Sequence, residues 1–317
     1  MKLKFAIYWG AACGGCDVAI LDTQEKFLEI ADMADIYFWP IAMDFKYEDV
    51  YKMDDKYLDA SLYCGAIRNS ENEKIAILLR QKSKAMIALG TCAHIGGIPG
   101  LANLYTREDV LNRIYLQSES TINEDEIIPR ESWSVSGEEL ELPRFYNTVK
   151  TLDQTVDVDY YIPGCPPVPL QIYSALVLIR DGMLPPKGSV IGAGDKALCE
   201  ECTRKKEEKK ITNLMRVHEV IPDTERCFLE QGLVCLGPVT RAGCGSRCIN
   251  SGMPCRGCYG AVDNVSDQGI KMLSALASVI ELKEEKEIDA VIDSVADPLR
   301  MLHRFSLPAS ILRRRKI

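Results

Sequence analysis

The sequence of 317 residues predicts an α/β fold, in which helices cover both faces of a parallel sheet. Short apolar runs alternate with helix-like patterns along the first half of the chain, and apolar residues make up 47% of the total. That fraction is enough to fill a sizeable core. In a parallel sheet, ligand-binding groups lie on the loops at the carboxyl ends of the strands. Functional residues are therefore expected where the predicted strands end.

Each element of the first half has its own sequence pattern. Apolar runs predict strands at 3–9, 35–40, 58–64, 84–89 and 158–162. Helical periodicity predicts helices at 18–33, with Asp17 as N-cap, at 70–81, and at 168–180. The second of these begins with a capping-box pattern, Ser70-Glu71-Asn72-Glu73. Residues 123–149 have weak periodicity with acidic and proline positions, which predicts a surface excursion.

The second half begins after a run of glycine and proline breakers at 182–188, which predicts a domain boundary. We expect one domain at 1–185 and another at 186–317. Eight cysteines then fall between residues 199 and 258, with little periodicity of either kind. Bound metal would supply much of the folding free energy of such a segment. Residues 269–282 and 287–305 predict a closing pair of helices, followed by an exposed basic end.

Composition excludes several classes of function. The chain has 38 Lys and Arg against 46 Asp and Glu, so it lacks the broad positive field that nucleic-acid binding requires. No apolar run is long enough to span a membrane, and the first residues have no signal-peptide pattern, which predicts a cytoplasmic protein. Thirteen cysteines in a reducing compartment indicate metal binding rather than disulfides.

Four cysteines of the first half follow predicted strands. The pair Cys13 and Cys16 comes after the first strand, Cys92 after the fourth and Cys165 after the fifth. A C-x2-C pair alone is also typical of a redox dithiol or of half a zinc site. Because parallel strands end at one edge of the sheet, these four thiols are expected to converge as ligands of one metal centre.

The eight cysteines of the second half make two further sets of four. Sequence order suggests one group of Cys199, Cys202, Cys227 and Cys235 and another of Cys244, Cys248, Cys255 and Cys258. Interleaved ligation remains open, since it occurs in two-cluster ferredoxins. Two four-cysteine zinc sites would need the same ligands, but a first set gathered from distant loops favours iron-sulfur clusters. Cys64 is left over, and we expect it to be a buried, inert core thiol.

Five motifs together resemble a known family. They are Cys-Gly-Gly-Cys at 13–16, Gly-Thr-Cys-Ala at 90–93, Pro-Gly-Cys-Pro-Pro at 163–167, Val-Cys-Leu-Gly-Pro at 234–238 and Met-Pro-Cys-Arg-Gly-Cys-Tyr-Gly at 253–260. Over essentially its whole length the sequence resembles the small subunit of nickel-iron hydrogenases. The most similar type is the cytoplasmic methyl-viologen-reducing enzyme found with heterodisulfide reductase in methanogens.

The resemblance implies a flavodoxin-like first domain, an irregular cluster-binding second domain, and three 4Fe-4S clusters. It assigns Cys13, Cys16, Cys92 and Cys165 to a proximal set, Cys244, Cys248, Cys255 and Cys258 to a medial set, and Cys199, Cys202, Cys227 and Cys235 to a distal set. Many hydrogenases have histidine at the Cys199 position, and several have proline at the Cys248 position with a 3Fe-4S cluster. The full complement of cysteines here implies 4Fe-4S clusters throughout.

The resemblance also implies partners. The nickel-iron site belongs to a large subunit, so this chain should hold no catalytic residue and should pass electrons to an iron-sulfur acceptor linked to heterodisulfide reductase. The same scaffold serves complex I-like enzymes, which leaves a relay subunit of another oxidoreductase as an alternative. A zinc-stapled binding protein is a more remote one.

Overall fold

The computed structural model describes residues 2–207, 210–282, 284–295 and 297–314. The strands are β1 Leu3–Trp9, β2 Ala34–Phe38, β3 Leu58–Cys64, β4 Ile67–Asn69, β5 Ser83–Leu89, β6 Ser132–Val135, β7 Glu138–Glu141, β8 Phe145–Lys150 and β9 Tyr160–Ile162. The helices are α1 Gly15–Leu21, α2 Lys26–Met33, α3 Tyr47–Tyr51, α4 Ser70–Lys82, α5 Thr91–Ile95, α6 Arg107–Tyr115, α7 Pro169–Arg180, α8 Leu198–Glu201, α9 Arg247–Asn250, α10 Gln268–Val279, α11 Glu285–Ser294 and α12 Pro298–Leu302. None of the helices in these ranges has the length and apolar character needed to cross a bilayer.

Five strands form the central sheet, in the order β2-β1-β3-β5-β9, and every neighbouring pair is parallel. The chain starts in the interior of the sheet, visits one edge and then crosses to the other, as in doubly wound flavodoxin-like folds. The predicted parallel-sheet fold is therefore confirmed. Because all five strands point the same way, the loops that follow β1, β3, β5 and β9 lie at one edge.

Both faces of the sheet are buried, which explains why its strands are nearly continuous apolar runs. Along β1, Phe5 and Ile7 face a core shared with α1, α2 and α7, while Ala6 and Tyr8 face a second core shared with α3 and α4. The first core also includes Ile191. The domain boundary at residue 185 remains a prediction.

The predicted single helix at 18–33 is wrong. The structure has two helices, α1 and α2, separated by a turn in which Gln24 takes φ 56°. Asp17 is not an N-cap, because α1 begins earlier, after Gly14 at φ 82°. Asp17 instead lies in the first turn of α1, where it is buried and its Oδ1 accepts a hydrogen bond of 2.9 Å from Trp39 Nε1.

The predicted surface excursion at 123–149 is only partly correct. Strands β6 and β7 form an exposed antiparallel hairpin, in agreement with the prediction. However, β8 is an antiparallel partner of β4, and its Val149 is buried. The weak periodicity of this segment concealed a strand that is buried only near its end.

The second half has short elements around a third core. That core is built by residues such as Leu198, Phe228, Leu236 and Met272, and no strand occurs among the described residues between 199 and 258. The predicted helix at 287–305 is wrong as a single element. Pro298 starts a separate helix, α12, whose N-cap Asp297 accepts a hydrogen bond of 3.0 Å from Arg300 N.

The C-terminal residues return to the first half. Pro308 packs against Gly96 and Gly100, and its carbonyl accepts a hydrogen bond of 2.8 Å from Gln154 Nε2. Arg314 Nη1 donates to Thr148 Oγ1 at 3.1 Å. The predicted exposed basic end is thus incorrect at Arg314, and its last residues, 315–317, lie outside the described residues.

Candidate functional site

The four cysteines of the proximal set converge at the carboxyl edge of the sheet. Cys16 and Cys92 are buried, whereas Cys13 and Cys165 reach the surface. Burial, followed by the neighbouring charges of Cys16, Cys165 and Cys13, raises the pKa of the Cys92 thiol to about 12. Each of these thiols is therefore close enough to influence Cys92, as the predicted convergence of these distant loops requires.

Hydrogen bonds between the loops hold this set together. Gly90 N donates to Ile162 O at 2.8 Å, and Thr91 N donates to Gly164 O at 2.9 Å. The loop that carries Cys92 is thereby fixed to the loop that carries Cys165.

Two glycines leave room for the sulfur atoms. A Cβ on Gly90, which has φ 82°, would overlap Cys16 Sγ, and a Cβ on Gly97 would overlap Cys92 Sγ. Side chains at these positions would push the thiols away from the site. The glycines therefore serve close packing as well as backbone conformation.

The distal set lies in the cysteine-rich half, around the start of α8. Burial is the largest cause that raises the pKa of the Cys199 thiol to about 12, and the charges of Cys235, Cys227 and Cys202 add to it. A nearby ammonium, that of Lys206, opposes this shift and also donates a hydrogen bond to the Cys199 carbonyl. The four cysteines that sequence order grouped together are thus neighbours.

The medial set lies between the other two. Burial raises the pKa of the Cys258 thiol to about 12, with further contributions from Cys165, Cys248 and Cys244. Burial also raises the pKa of Cys255, whose neighbours include Cys235 and Cys258. Three members of the set therefore surround one site, and Cys255 joins that site to the distal set.

Backbone contacts link the three sets in a row. Thr91 Oγ1 donates to the Cys258 carbonyl at 2.7 Å, and the Cys165 amide lies near the Cys258 thiol and lowers its pKa. At the other end, the Cys255 amide donates to Cys235 Sγ at 3.3 Å. The proximal set therefore contacts the medial set, and the medial set contacts the distal set.

The donor sets suit iron-sulfur clusters. Each supplies four thiols, the number that a 4Fe-4S cluster takes. The raised thiol pKa values mean that binding of iron would displace protons. Nowhere in the described ranges do three His, Cys, Asp or Glu side chains meet closely enough to hold a single metal ion. A cluster of four irons is larger than one ion, and the thiols of each set are spread around a site.

Sequence reasoning missed two contacts at this site. Thr91, beside Cys92, was not recognised as a link to the medial set, because its partner is 167 residues away. Cys64 is buried as predicted, but it is not isolated, since its thiol hydrogen-bonds to Cys16 and lies near Cys92. The position of Cys64 at the end of a predicted strand could have indicated that it lies near these cysteines.

Comparison with known proteins identifies the family. The model of the family described as "NADH ubiquinone oxidoreductase, 20 Kd subunit" matches residues 13–179, more than half of the chain. The iron-sulfur subunit of the F420-non-reducing hydrogenase of Archaeoglobus profundus is 39% identical, with 99% of each chain covered. The chain belongs to the hydrogenase small-subunit family. It is thus a subunit of an oxidoreductase, as its five motifs predicted.

Other members of the hydrogenase small-subunit family agree with this assignment. The corresponding subunit of the vhu F420-non-reducing hydrogenase of Methanocaldococcus jannaschii is 39% identical, covering 99% of this chain and 98% of that one. A solved NAD+-reducing [NiFe]-hydrogenase chain, 26% identical, aligns with a TM-score of 0.51 over 58% of this chain and 94% of its own length. The [NiFeSe] hydrogenase of Desulfovibrio vulgaris Hildenborough shares the fold, with 17% identity and a TM-score of 0.51 over 82% of this chain and 93% of that one.

Proposed function

We propose that this chain is the electron-transfer small subunit of a nickel-iron hydrogenase complex. It would relay electrons from dihydrogen oxidation on a large subunit through three 4Fe-4S clusters to an acceptor. The proposed ligands are the twelve cysteines of the proximal, medial and distal sets. The catalytic metal site would lie on the large subunit, so this chain contributes no catalytic residue.

The linear connection between the three sets carries the proposal. A relay needs neighbouring centres with a defined entry and exit. Hydrogen bonds join the Cys92 loop of the proximal set to the medial set, and the medial set to the distal set. A bound 4Fe-4S cluster supplies one-electron transfer at a potential set by charge, hydrogen bonds and solvent exposure. The residues of this chain would fix the order of the centres, and they bury Cys16, Cys92, Cys235 and Cys255.

Backbone amides of this chain stabilise negative charge on the ligand sulfurs. The sulfur of Cys235 accepts hydrogen bonds from the amides of Gly237 and Cys255, and both bonds lower the pKa of a thiol that burial raises to about 11. Since these donors are part of the backbone, they remain in place whatever the oxidation state of the site. They would favour the more negative, reduced form of the distal centre.

The proximal edge is the proposed face for the large subunit. Cys13 and Cys165 are exposed there, and Trp9 beside Gly14 keeps 40% of its surface accessible. Val18, on α1, is 55% exposed. An exposed cluster would be open to solvent, so a partner that covers these apolar side chains would protect the proximal centre.

The distal set is the proposed exit toward an iron-sulfur acceptor linked to heterodisulfide reductase. Ligand sets made only of cysteine fit low-potential transfer, because replacing thiolate by imidazole raises the potential in Rieske-type centres. The complex would work in the cytoplasm, where thirteen cysteines stay reduced. The resemblance to the methyl-viologen-reducing type supports this choice of acceptor.

Metal analysis of the natively purified complex tests the proposal. We expect about twelve irons per small subunit and a hydrogenase-type large subunit that co-purifies. Stoichiometric zinc with little iron would refute it and favour a zinc-stapled protein. The family description, which names a subunit of NADH ubiquinone oxidoreductase, favours a second candidate, a relay subunit of a complex I-like enzyme. A full complement of iron with a partner that lacks nickel would support that candidate instead.

A further inference from the structure

We propose that Cys64 is a fifth thiol of the proximal site, placed to take over as an iron ligand when Cys16 is lost. The inference rests on the proposed function, because it requires a cluster at the proximal set. It concerns the one cysteine outside the three sets of four. The structure gives this residue a position and contacts that an inert core thiol would not need.

The position follows from the order of the strands. Strand β3 lies between β1 and β5, and Cys64, its last residue, is paired with Trp9 on one side and Leu89 on the other. Trp9 and Leu89 are the last residues before the loops that carry the proximal cysteines. Strand β3 ends at the same edge of the sheet as β1 and β5. Its last residue, Cys64, therefore enters the proximal site between those two loops.

The contacts of Cys64 point to the same site. Its thiol is fully buried and hydrogen-bonds to Cys16, with Asp17 and Cys92 close by. Its backbone is fixed as well, since its carbonyl accepts a hydrogen bond of 2.7 Å from Gly10 N, at the start of the Cys13 loop. A thiol can act as a hydrogen-bond donor, so Cys64 can donate this bond to the Cys16 sulfur.

A second buried group beside this thiol lacks a partner. Asp17 Oδ2 is buried and has no hydrogen-bond partner among the described residues, and the Asp17 carboxylate also contacts Cys64. An unpaired buried oxygen is costly unless a group on the ligand side compensates for it. The Asp17 carboxylate therefore makes the Cys16 side of the proximal site polar. This distinguishes it from the Cys13 side.

Space and chemistry allow the exchange. Gly90 places no side chain against Cys16 Sγ, so removal of that sulfur opens room toward Cys64. In the exchange, the S–H bond of Cys64 breaks, its thiolate bonds to the iron that Cys16 would have held, and the proton leaves to solvent. No electron is transferred, and the ligand set remains four thiolates.

Cysteine variants in the anaerobically co-expressed complex with the large subunit test the inference. Cys16→Ala should keep about twelve irons per small subunit, because Cys64 completes the set. The matched control Cys13→Ala has no spare thiol beside it and should lose its proximal 4Fe-4S centre, with a loss of about one iron if a 3Fe-4S cluster remains and about four if none does. The double variant Cys16→Ala/Cys64→Ala should lose the same number as the control, and electron paramagnetic resonance should report the missing centre in both.

The outcomes separate the two proposals. If Cys16→Ala loses as much iron as Cys13→Ala, or gains a 3Fe-4S signal, the role of Cys64 is refuted while the proposed function stands. If the wild type holds no iron, or if Cys13→Ala retains all of it, the proposed function itself fails.

A second measurement applies even if the ligand variants do not fold. In Cys64→Ala, loss of the hydrogen bond to the Cys16 sulfur should lower one of the three cluster midpoint potentials, because such bonds stabilise the reduced form. Cys64→Ser keeps a donor and should restore most of that shift. Three midpoint potentials unchanged in Cys64→Ala would overturn the inference.

Discussion

The two halves of this chain hold their cysteines in different ways. In the first half, β1, β5 and β9 direct four thiols to one edge of a sheet that has a core on each face. In the second half, eight cysteines lie between residues 199 and 258, where the described residues contain only short helices around one core. The first half therefore has a scaffold that is independent of its ligand, whereas the second half has little besides its ligands and one small core.

On the proposed function, the difference teaches that similar metal sites can depend on folding in opposite ways. A site made from the ends of parallel strands is formed by the sheet before any metal binds. A site made from closely spaced cysteines in an irregular segment gains its order together with the metal.

Iron depletion should have the largest effect. When the chain is produced under iron limitation, residues 233–239 should lose amide protection on the order of 100-fold or more, because cluster binding stabilises the second half. Amides of β3 and β5 should remain protected. Hydrogen exchange measured by mass spectrometry on iron-loaded and iron-poor protein decides this, and equal loss of protection in both halves would contradict the contrast.

Matched truncations of buried side chains should have the second-largest effect, and their effects on iron content should differ between the two halves. Ile87→Ala in β5 and Leu236→Ala beside Cys235 each remove a fully buried side chain, and each should cost about 3–4 kcal/mol of local stability. Ile87→Ala should keep its iron. Leu236→Ala should lose iron from the second half, since the Leu236 side chain packs in the same buried core as Cys235 and Cys255. Iron content and the denaturant midpoint, measured together, check both expectations.

The smallest expected effect concerns an ion pair at the other end of the strands from the cysteines. Asp159 accepts hydrogen bonds from Arg80 at 2.5 Å and from Met86 N at 2.8 Å, and it pairs with Lys187 at 2.5 Å. Burial raises its pKa, but these three donors outweigh burial and lower it overall. Asp159→Asn should therefore destabilise the first half by about 2–3 kcal/mol without loss of iron.

The sign of the pH dependence follows from the lowered pKa of Asp159. Its contribution is fully present above the unfolded pKa of about 3.9 and is lost only as pH falls through the lower folded value. The difference in stability between wild type and Asp159→Asn should thus stay constant from about pH 7 to pH 5. Thermal denaturation across this range tests it, and a difference that shrinks at pH 5 would show that another group titrates with Asp159.

Much of the sheet could be predicted from sequence because buried parallel strands are apolar along their whole length. The runs at 58–64 and 84–89 match β3 and β5 closely. The grouping of Cys13, Cys16, Cys92 and Cys165 followed from a general rule of sheet geometry. The rest depended on contacts between distant residues. No local pattern in the sequence indicates that Asp17 would pair with Trp39 rather than cap a helix.

The breaks between helices were harder to predict for a related reason. Apolar periodicity continued through Gln24 and across residue 297, so it indicated single helices, and only the left-handed turn and the new N-cap ended them. The same limit applied to the C-terminal residues. Their packing against Gly96 and Gly100 depends on the shape of a surface formed elsewhere in the chain.

The contacts of Cys258 have a consequence for the speed of the relay. Its carbonyl is held by the first half through the Thr91 hydroxyl, and its thiol lies near the Cys165 amide. On the proposed function, the proximal and medial centres would therefore be joined directly by a hydrogen bond between the two halves. Hinge motions between domains take microseconds to milliseconds. A junction of this kind removes such a motion from the path, so electron tunnelling from the proximal to the medial centre should not slow when solvent viscosity rises.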